Sequence, residues 1–305
     1  MKLLITGANG QVGWQLQRTL LPLGEVVALT RSELDLADPG CASVVREIGP
    51  DILINAAAYT SVNKAESEAD LAHAVNGVAP GRFAQELARS GGLMIHYSTD
   101  YVFDGTKTEP YTEDDGTAPL NVYGQSKLAG EQAIAESGCA HLVLRTSWVY
   151  DRRGENFLRT VLRLAREKAE LRMVDDQYGA PTWARAIAEA TAALIARSAT
   201  ERESGTWRRS GIYHLTALGS TTWAGFARAI LDDYEELLAW PADTGEFSAP
   251  LLAKRVVPIT SEIFKGAARR PRNSRLSNAK LEKEFGFHLP DWRHVLRLAM
   301  LDTIR

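Results

Sequence analysis

The sequence predicts an α/β fold with a doubly wound parallel sheet and a smaller, mostly C-terminal second domain. Three observations support this prediction. Short apolar runs alternate with helical patterns through the first half of the chain, as in βαβ units. A glycine-rich turn, Thr6–Gly13, directly follows the first apolar run. Beyond Trp148 the alternation gives way to mainly helical patterns, which indicates a second unit.

The strands of the first half are predicted where apolar residues run almost without interruption, as expected when helices cover both faces of a sheet. They are Lys2–Thr6, Glu25–Leu29, Asp51–Asn55, Leu93–Tyr97 and His141–Arg145. The helices between them are predicted at Gln11–Leu21, Cys41–Ile48, Ala65–Arg89 and Tyr123–Glu136. In the second half we expect helices at Phe157–Lys168 and Trp183–Ala196, one clear strand at Ile212–Leu215, and an exposed loop at Glu201–Gly211.

Composition excludes several classes of protein. The 305 residues carry 35 basic and 38 acidic side chains, a net charge of −3 that argues against a dedicated nucleic-acid binder. Two cysteines indicate a reducing compartment, and the six histidines lack metal-ligand spacing. No apolar run approaches the roughly 20 residues of a membrane span, and the N-terminus lacks a signal-peptide layout. We therefore expect a cytoplasmic enzyme without a membrane or nucleic-acid partner.

The glycine-rich turn has the form Gly-x-x-Gly-x-x-Gly between a strand and a helix. Gly7 allows a tight turn, Gly10 allows the backbone to approach a pyrophosphate, and Gly13 allows close packing of the helix. The helix N-terminus offers free amides to phosphates. These features predict a Rossmann-type NAD(P)-binding domain over residues 1–150. Residues 151–305 are predicted to form mainly the substrate-binding domain, with segments around 175–220 returning to the first domain.

The end of the second strand bears on the choice of cofactor. An acidic residue is usual there, but this chain has Thr30-Arg31-Ser32. A guanidinium and small hydroxyls suit a 2′-phosphate, which a carboxylate would repel. We therefore expect NADPH, with NADH possible and with Arg31 as a plain surface residue as the alternative.

Candidate catalytic residues lie at a helix start and at a strand end. Tyr123 and Lys127 are four residues apart, so both side chains lie on one helix face, where the ammonium would lower the pKa of the phenol. Thr99 lies in the hydroxyl-rich turn His96–Tyr101 at the end of one strand, and Ala57 follows another strand. Ligands of open α/β sheets bind at the carboxyl ends of strands, so these groups are expected to converge on one site.

Taken together, the chain resembles the extended short-chain dehydrogenase/reductase family, and within it the reductases of 4-keto-6-deoxy nucleotide sugars. The resemblance covers almost the whole chain. The motifs that carry it are Thr6–Gln17, Pro50–Glu66, His96–Gly105, Ala118–Glu131, Leu144–Tyr150, Asp176–Thr182, Thr221–Trp223 and Arg269–Leu276.

The resemblance implies a role for each matching residue. Tyr123 would protonate the O4 oxygen, Lys127 would hold the nicotinamide ribose, and Thr99 would hydrogen-bond the keto oxygen. Asp100 and Trp148 match substrate contacts, with packing as the alternative for Trp148. Further cofactor contacts are implied at Gly10, Gln11, Val12, Thr30, Asp35, Leu36, Ala58, Tyr59, Thr60 and Tyr97. Arg270 and Arg275 are candidates for holding the substrate diphosphate, against the alternative of a solvated loop.

The activity implied is NAD(P)H-dependent reduction of dTDP-4-dehydro-β-L-rhamnose to dTDP-β-L-rhamnose, the last step of dTDP-L-rhamnose biosynthesis. Related dehydratases carry Asp-Glu after the threonine, whereas Asp100-Tyr101 stands here, so simple reduction fits better. A reductase or epimerase of another nucleotide sugar, and a non-catalytic NADP-binding regulatory subunit, remain as alternatives.

Some members of the family form magnesium-bridged dimers through an acid in the first helix. Gln15 occupies the matching position, and Glu189 is the one obvious acid on the later helix. Because Mg²⁺ usually recruits carboxylates, we expect no metal site and no magnesium requirement. Monomer and homodimer both stay open.

Overall fold

A computed structural model describes residues 1–198, 207–238, 250–264 and 266–304. Its centre is a six-stranded parallel sheet formed by β1 (Lys2–Thr6), β2 (Glu25–Leu29), β3 (Ile52–Asn55), β4 (Leu93–Thr99), β5 (Ala140–Thr146) and β10 (Gly211–His214). The strand order across the sheet is β10-β5-β4-β3-β1-β2. The chain leaves β1 for β2 on one side and later places β3 on the other side, so the strand order reverses at β1. Ligands of such sheets bind at this reversal.

Helices cover both faces of the sheet. The helices of the described residues are α1 (Gln11–Thr19), α2 (Ser43–Ile48), α3 (Val62–Ala65), α4 (Ala69–His73), α5 (Ala79–Ser90), α6 (Val122–Glu136), α7 (Phe157–Glu167), α8 (Ala184–Arg197), α9 (Trp223–Leu238), α10 (Ala279–Phe285) and α11 (Trp292–Ile304), and some of them pack outside this sheet. Alternate strand residues enter two different apolar cores: Leu3 and Ile5 belong to the core that includes α1 and α8, and Leu4 belongs to the core that includes α5. The doubly wound parallel sheet is therefore confirmed.

The predicted single helix Ala65–Arg89 is wrong. The chain instead forms α3, α4, a π-helical turn at Ala74–Val78, and α5. The π turn contains Asn76, whose buried side chain accepts a hydrogen bond from the backbone N–H of Tyr59 at 2.8 Å and donates to the carbonyl of Tyr59 at 2.9 Å. A distorted turn at this point lets one amide side chain hold the loop after β3.

The expectation of one clear strand in the second half is also wrong. Besides β10, the described part of the second half contains six short strands: β6 (Val149–Tyr150), β7 (Glu170–Val174), β8 (Tyr178–Gly179), β9 (Thr182–Trp183), β11 (Thr221–Thr222) and β12 (Arg255–Ile259). Each pairs with a single neighbour in a two-stranded sheet. Strands of two residues are too short to show an alternation of apolar and polar residues, and β12 contains Pro258, which is unusual in a strand.

Segments from the second half pack on the first. β10 adds a parallel strand beside β5, and α8 packs on α1. The predicted loop Glu201–Gly211 lies largely outside the described residues, since the structure resumes at residue 207. Among the residues that are described, no helix is both long enough and apolar enough to cross a membrane.

Candidate functional site

The glycine turn after β1 lies against the loop after β3. Gly7 has a φ of +71°, and a Cβ added there would lie 2.7 Å from the backbone nitrogen of Ala57. A Cβ at Gly13 would lie 2.1 Å from the carbonyl oxygen of Gly7. Side chains at these two positions would therefore displace the backbone that opens the N-terminus of α1. This geometry fits a bound dinucleotide pyrophosphate.

A cavity of about 590 Å³ opens at the carboxyl ends of the strands, beside the glycine turn. It brings together fourteen of the sixteen predicted cofactor residues: Gly7, Gly10, Gln11, Val12, Arg31, Asp35, Leu36, Ala57, Ala58, Tyr59, Thr60, Tyr97, Tyr123 and Lys127. Gly13 and Thr30 are outside its lining. Gly13 acts through packing, as just described.

The cavity has further walls that the sequence did not reveal. Gly154 and Glu155 close one side, and they come from the turn that follows β6. Asn156 anchors this turn, because its side-chain amide donates to Gln11 Oε1 at 2.9 Å and to the carbonyl of Asp151 at 2.6 Å. Gln11 and Asn156 are 145 residues apart in the chain, and no local pattern signals such a contact.

The end of β2 carries both a cation and carboxylates. Arg31 lines the cavity, its side chain is 74% exposed, and its Nε lies 3.8 Å from Asp35. Thr30 lies outside the lining, and both its N–H and its hydroxyl donate to Glu33 at 2.8 Å. These bonds lower the pKa of Glu33, which is therefore an anion. The hydroxyl of Thr30 is thus engaged with Glu33 rather than directed at the cavity.

Tyr123 and Thr99 meet where the start of α6 approaches the end of β4. Asn121 caps the N-terminus of α6, where its side chain accepts the N–H of Gly124 at 2.8 Å. A Cβ at Gly124 would lie only 2.3 Å from the carbonyl oxygen of Tyr101, so glycine is required for the approach. The hydroxyl of Thr99 hydrogen-bonds the Tyr123 phenol, and the rings of Tyr101 and Tyr123 pack edge to face at 5.8 Å.

We expected the ammonium of Lys127 to lower the pKa of Tyr123, and the structure shows no such effect. Burial, and to a smaller extent the Asp100 carboxylate, raise the pKa of Tyr123 to about 12, while the hydrogen bond with Thr99 acts in the opposite direction. Lys127 instead lies 3.1 Å from His96 Nε2 and donates to the carbonyl of Tyr97 at 2.6 Å. Its own pKa is lowered to about 8 by burial. Residues of β4 therefore hold the lysine, and its charge does not stabilise the phenolate form of Tyr123 in this structure.

Asp100 lies directly beside Thr99 and is only 3% exposed. Burial raises the pKa of Asp100 to about 7, although hydrogen bonds from Ser274 and Thr99 act in the opposite direction. The Thr99 hydroxyl lies 3.0 Å from Asp100 Oδ1. A carboxyl group with this pKa can accept or donate a hydrogen bond near neutral pH.

Trp148 has the left-handed backbone of a strained position, with a φ of 47°. Its indole stacks on Trp223 with ring centroids 3.5 Å apart and an interplanar angle of 6°. A Cβ at Gly179 would lie 2.4 Å from the same indole. Trp148 is half-buried, so packing accounts for part of its surface.

The two candidate arginines have different surroundings. Arg270 acts on the hydroxyl of Tyr101, whose ring packs on Tyr123, and it donates to Asn63 Oδ1 at 3.3 Å. Arg275 donates to Asn273 Oδ1 at 2.9 Å and to the carbonyl of Thr108. Arg270 is therefore the better placed of the two for an anionic ligand, and Arg275 holds neighbouring loops together.

The predicted metal residues take part in other contacts. Gln15 donates to Asp151 Oδ2 at 2.9 Å, and Glu189 pairs with Arg185 at 2.9 Å. Among the described residues no group of three or more His, Cys, Asp or Glu side chains could hold a metal ion. Independence from magnesium stays a prediction.

The comparisons with known proteins cover the whole of this architecture. A family model described as the RmlD substrate binding domain matches residues 1–304. The chain belongs to this family. A dTDP-4-dehydrorhamnose reductase of Burkholderia thailandensis is 52% identical over 305 residues, which are 100% of this chain and 99% of that protein. The enzyme of the same name from Escherichia coli K12 is 42% identical over 298 residues, 96% of this chain and 95% of its own.

Solved structures of family members share the fold. The dTDP-4-dehydrorhamnose reductase from Bacillus anthracis str. Ames in complex with NADP superimposes with a TM-score of 0.85 at 34% identity, covering 99% of both chains. The predicted family is confirmed.

Proposed function

We propose that this chain reduces the C4 keto group of dTDP-4-dehydro-β-L-rhamnose to a hydroxyl, giving dTDP-β-L-rhamnose as the last step of dTDP-L-rhamnose biosynthesis. The observation that carries the proposal is that Tyr123 and Lys127 both line the cavity beside the glycine turn, with the Thr99 hydroxyl against the Tyr123 phenol. It is supported by two relatives named dTDP-4-dehydrorhamnose reductase, which align with 100% and 96% of the chain.

The cavity fits NADPH, which would supply the hydride when bound, with NADH as the alternative. The glycine turn would hold its pyrophosphate, and Arg31 is placed to face a 2′-phosphate. Lys127 lines the same cavity and would hold the nicotinamide ribose.

Tyr123 serves as the general acid. Its pKa of about 12 keeps the proton on the phenol until an alkoxide forms at C4 of the sugar, which is a stronger base than the phenolate. Thr99 hydrogen-bonds the keto oxygen and orients it toward Tyr123, since its hydroxyl already contacts the phenol. The substrate would be contacted by Asp100, Trp148 and Arg270. Arg275 would support this site indirectly, through its contacts with the neighbouring loops.

The proposal also covers the substrate, the oligomeric state and the cellular compartment of the protein. We infer a dTDP-4-keto-6-deoxy sugar as the small-molecule partner, with the chain acting as a monomer or homodimer. Both cysteines, Cys41 and Cys139, are free and buried, which favours the cytoplasm.

Steady-state oxidation of NADPH in the presence of the keto-sugar nucleotide tests the proposal. We expect turnover and a rhamnosyl product. Turnover with a different nucleotide sugar alone would point to another reductase or epimerase. Tight NADPH binding without turnover of any keto sugar would point to a regulatory subunit.

A further inference from the structure

A second cavity shares one wall with the cavity that fits the cofactor. Its volume is about 780 Å³, which is within the range of sites for small molecules. Among the described residues that line it, the positively charged ones are Arg152, Arg159, Arg163 and Arg166, and the one carboxylate is Glu155. The chain as a whole has a net charge of −3, so this arginine cavity concentrates positive charge against the overall balance.

The spacing along α7 explains why the arginines gather. Arg159, Arg163 and Arg166 follow an i, i+4, i+7 pattern, which places their side chains on one face of the helix. Arg152 lies in the turn that precedes α7, and all four residues are exposed. Cations that share one helix face beside a concavity attract an anion to it.

Three of these arginines have partners that leave their positive charge largely uncompensated. Arg159 donates to the carbonyl of Arg152 at 2.9 Å, and Arg152 donates to the carbonyl of Asp302 at 3.1 Å. Arg163 lies 3.5 Å from Glu167, but both side chains are more than half exposed, so this pair is weak. Neutral carbonyls and a weak ion pair leave these three guanidinium groups available to an anionic ligand.

The geometry favours a ligand with several phosphates. A guanidinium group binds phosphate oxygens through two parallel N–H donors. Arg166 is seven positions after Arg159, about 10 Å along a helix, which is more than one phosphate group spans. Leu158 and Leu162 line the same cavity and offer an apolar contact to a nucleoside.

We propose that the arginine cavity is a second anion site, which binds a polyphosphate group, carried by a nucleotide or free, and thereby weakens cofactor binding. Gly154 and Glu155 line both cavities, so one turn of backbone separates the two ligands. Asn156 ties this turn to the glycine turn, because its amide donates to Gln11 Oε1 at 2.9 Å. The inference rests on the proposed function only for the identity of the cofactor.

The sign of the coupling follows from charge. The cofactor and the proposed ligand are both anions, and the ligand would neutralise guanidinium groups whose field favours anions in both cavities. Its phosphates would also compete for Arg159, which holds the carbonyl of Arg152 in the shared turn. Both effects disfavour simultaneous binding. Because such coupling is reciprocal, each ligand should weaken the other by the same factor, about fivefold.

Isothermal titration with inorganic tripolyphosphate tests the site without cofactor or turnover. We expect binding that weakens about tenfold for each arginine removed, in Arg163→Gln and in the double variant Arg159→Gln with Arg163→Gln. Arg46→Gln with Arg89→Gln is the matched control, because these exposed arginines contact Glu86 and are not among the described lining residues of either cavity. All titrations are made at one ionic strength, because salt screens exposed charges.

A parallel titration with GTP separates the two sources of the polyphosphate group. Binding of GTP that is tighter than that of tripolyphosphate supports a nucleotide as the ligand, since the nucleoside then adds apolar contacts with Leu158 and Leu162. Equal affinity supports the site with the polyphosphate group alone as the ligand. In both cases the affinity should fall in the arginine variants.

The fluorescence of bound NADPH measures the coupling between the cavities. As tripolyphosphate saturates its site, the Kd of NADPH should rise about fivefold and then level off. Direct competition within the cofactor cavity would instead raise this Kd in proportion to the tripolyphosphate concentration. The effect should disappear in the double variant Arg159→Gln with Arg163→Gln and persist in the control pair.

Three results would contradict these expectations. Absence of binding by both probes, or the same affinity in the arginine variants as in the control pair, would overturn the site. Arg163→Gln alone decides this point if the double variant does not fold, because the Arg163 side chain is 61% exposed. A Kd of NADPH that stays constant or rises without limit would overturn the coupling. Absence of NADPH turnover with normal tripolyphosphate binding would instead contradict the proposed function alone.

Discussion

Two buried ionisable residues lie one turn apart on α6 and differ in what surrounds them. Glu131 receives Arg145 Nε at 3.0 Å and its terminal nitrogen at 2.6 Å, and both side chains are at most 3% exposed. Lys127 is equally buried, but among the residues that the structure describes its hydrogen-bond partners are the His96 ring and the carbonyl of Tyr97. The glutamate is closed within the protein, whereas the lysine also lines the cavity.

The difference separates a structural charge from a functional one. Burying an ion costs free energy that an opposite charge offsets, as Arg145 does for Glu131. No carboxylate contacts Lys127 among the described residues, so the cost of burying its charge appears as a lowered pKa. A buried cation kept without a counter-ion, and open to a cavity, is typical of a site that handles ligands and protons.

Removing the proton donor next to Lys127 should have the largest effect. Tyr123→Phe deletes the phenol hydroxyl and keeps the ring that packs on Tyr101. We expect kcat to fall by roughly 10²–10⁴ while NADPH affinity changes little. Steady-state kinetics and a direct binding titration measure the two quantities. A variant that keeps most of its kcat would remove Tyr123 from the role of acid.

Removing the carboxylate from the buried pair of Glu131 and Arg145 should lower the stability of the fold. Glu131→Ala leaves Arg145 buried without its carboxylate, so the free energy of unfolding should fall by about 3–5 kcal/mol. Glu189→Ala is the matched control, because its pair with Arg185 is about half exposed and should contribute less than about 1 kcal/mol. Denaturant unfolding of both variants gives the comparison. Equal losses would show that burial does not distinguish the two pairs.

At the rim of the cavity, Arg31→Ala should weaken NADPH binding and spare NADH. The side chain is 74% exposed, so we expect about 1.5 kcal/mol, roughly tenfold in Kd and at the lower end for a charged hydrogen bond. Arg89→Ala, an exposed arginine on α5 paired with Glu86, is the control. The same loss for both cofactors would contradict a 2′-phosphate contact, and would favour a structural role in the loop that holds Asp35.

The smallest effect is expected from chelation. Gln15 is bonded to Asp151 and Glu189 to Arg185, so neither position offers a free carboxylate to a bridging ion. Turnover and sedimentation should be unchanged by EDTA. A dimer that dissociates on chelation and reforms with magnesium would show that a metal contributes after all.

The sequence predicted the parts of the fold that rest on local patterns. β1 and β2 lie at the predicted residues, and the glycine turn after β1 adopts the backbone that its glycines allow. The interrupted helix before β4 was not predicted, because the π turn depends on the contact of Asn76 with Tyr59, 17 residues away.

The candidate site, like the fold, was predicted only in those parts that a local pattern or the family resemblance indicates. Tyr123 and Lys127 were found from their spacing on one helix, and most cofactor residues from the resemblance to a family. His96 was missed as a partner of Lys127, because its other contact, Asn55, is 41 residues away on another strand. The pairing of Glu131 with Arg145 likewise depends on the register between α6 and β5. Such contacts are set by tertiary packing, and one sequence holds no local signal for them.

The most direct test is NADPH consumption by the purified chain with dTDP-4-dehydro-β-L-rhamnose, followed by identification of the sugar product. We expect stoichiometric conversion to dTDP-β-L-rhamnose by the unmodified protein and loss of at least about 99% of this rate in Tyr123→Phe. No turnover in the unmodified protein, with NADPH binding intact, would contradict the assignment of Thr99, Tyr123 and Lys127 as a reductase site.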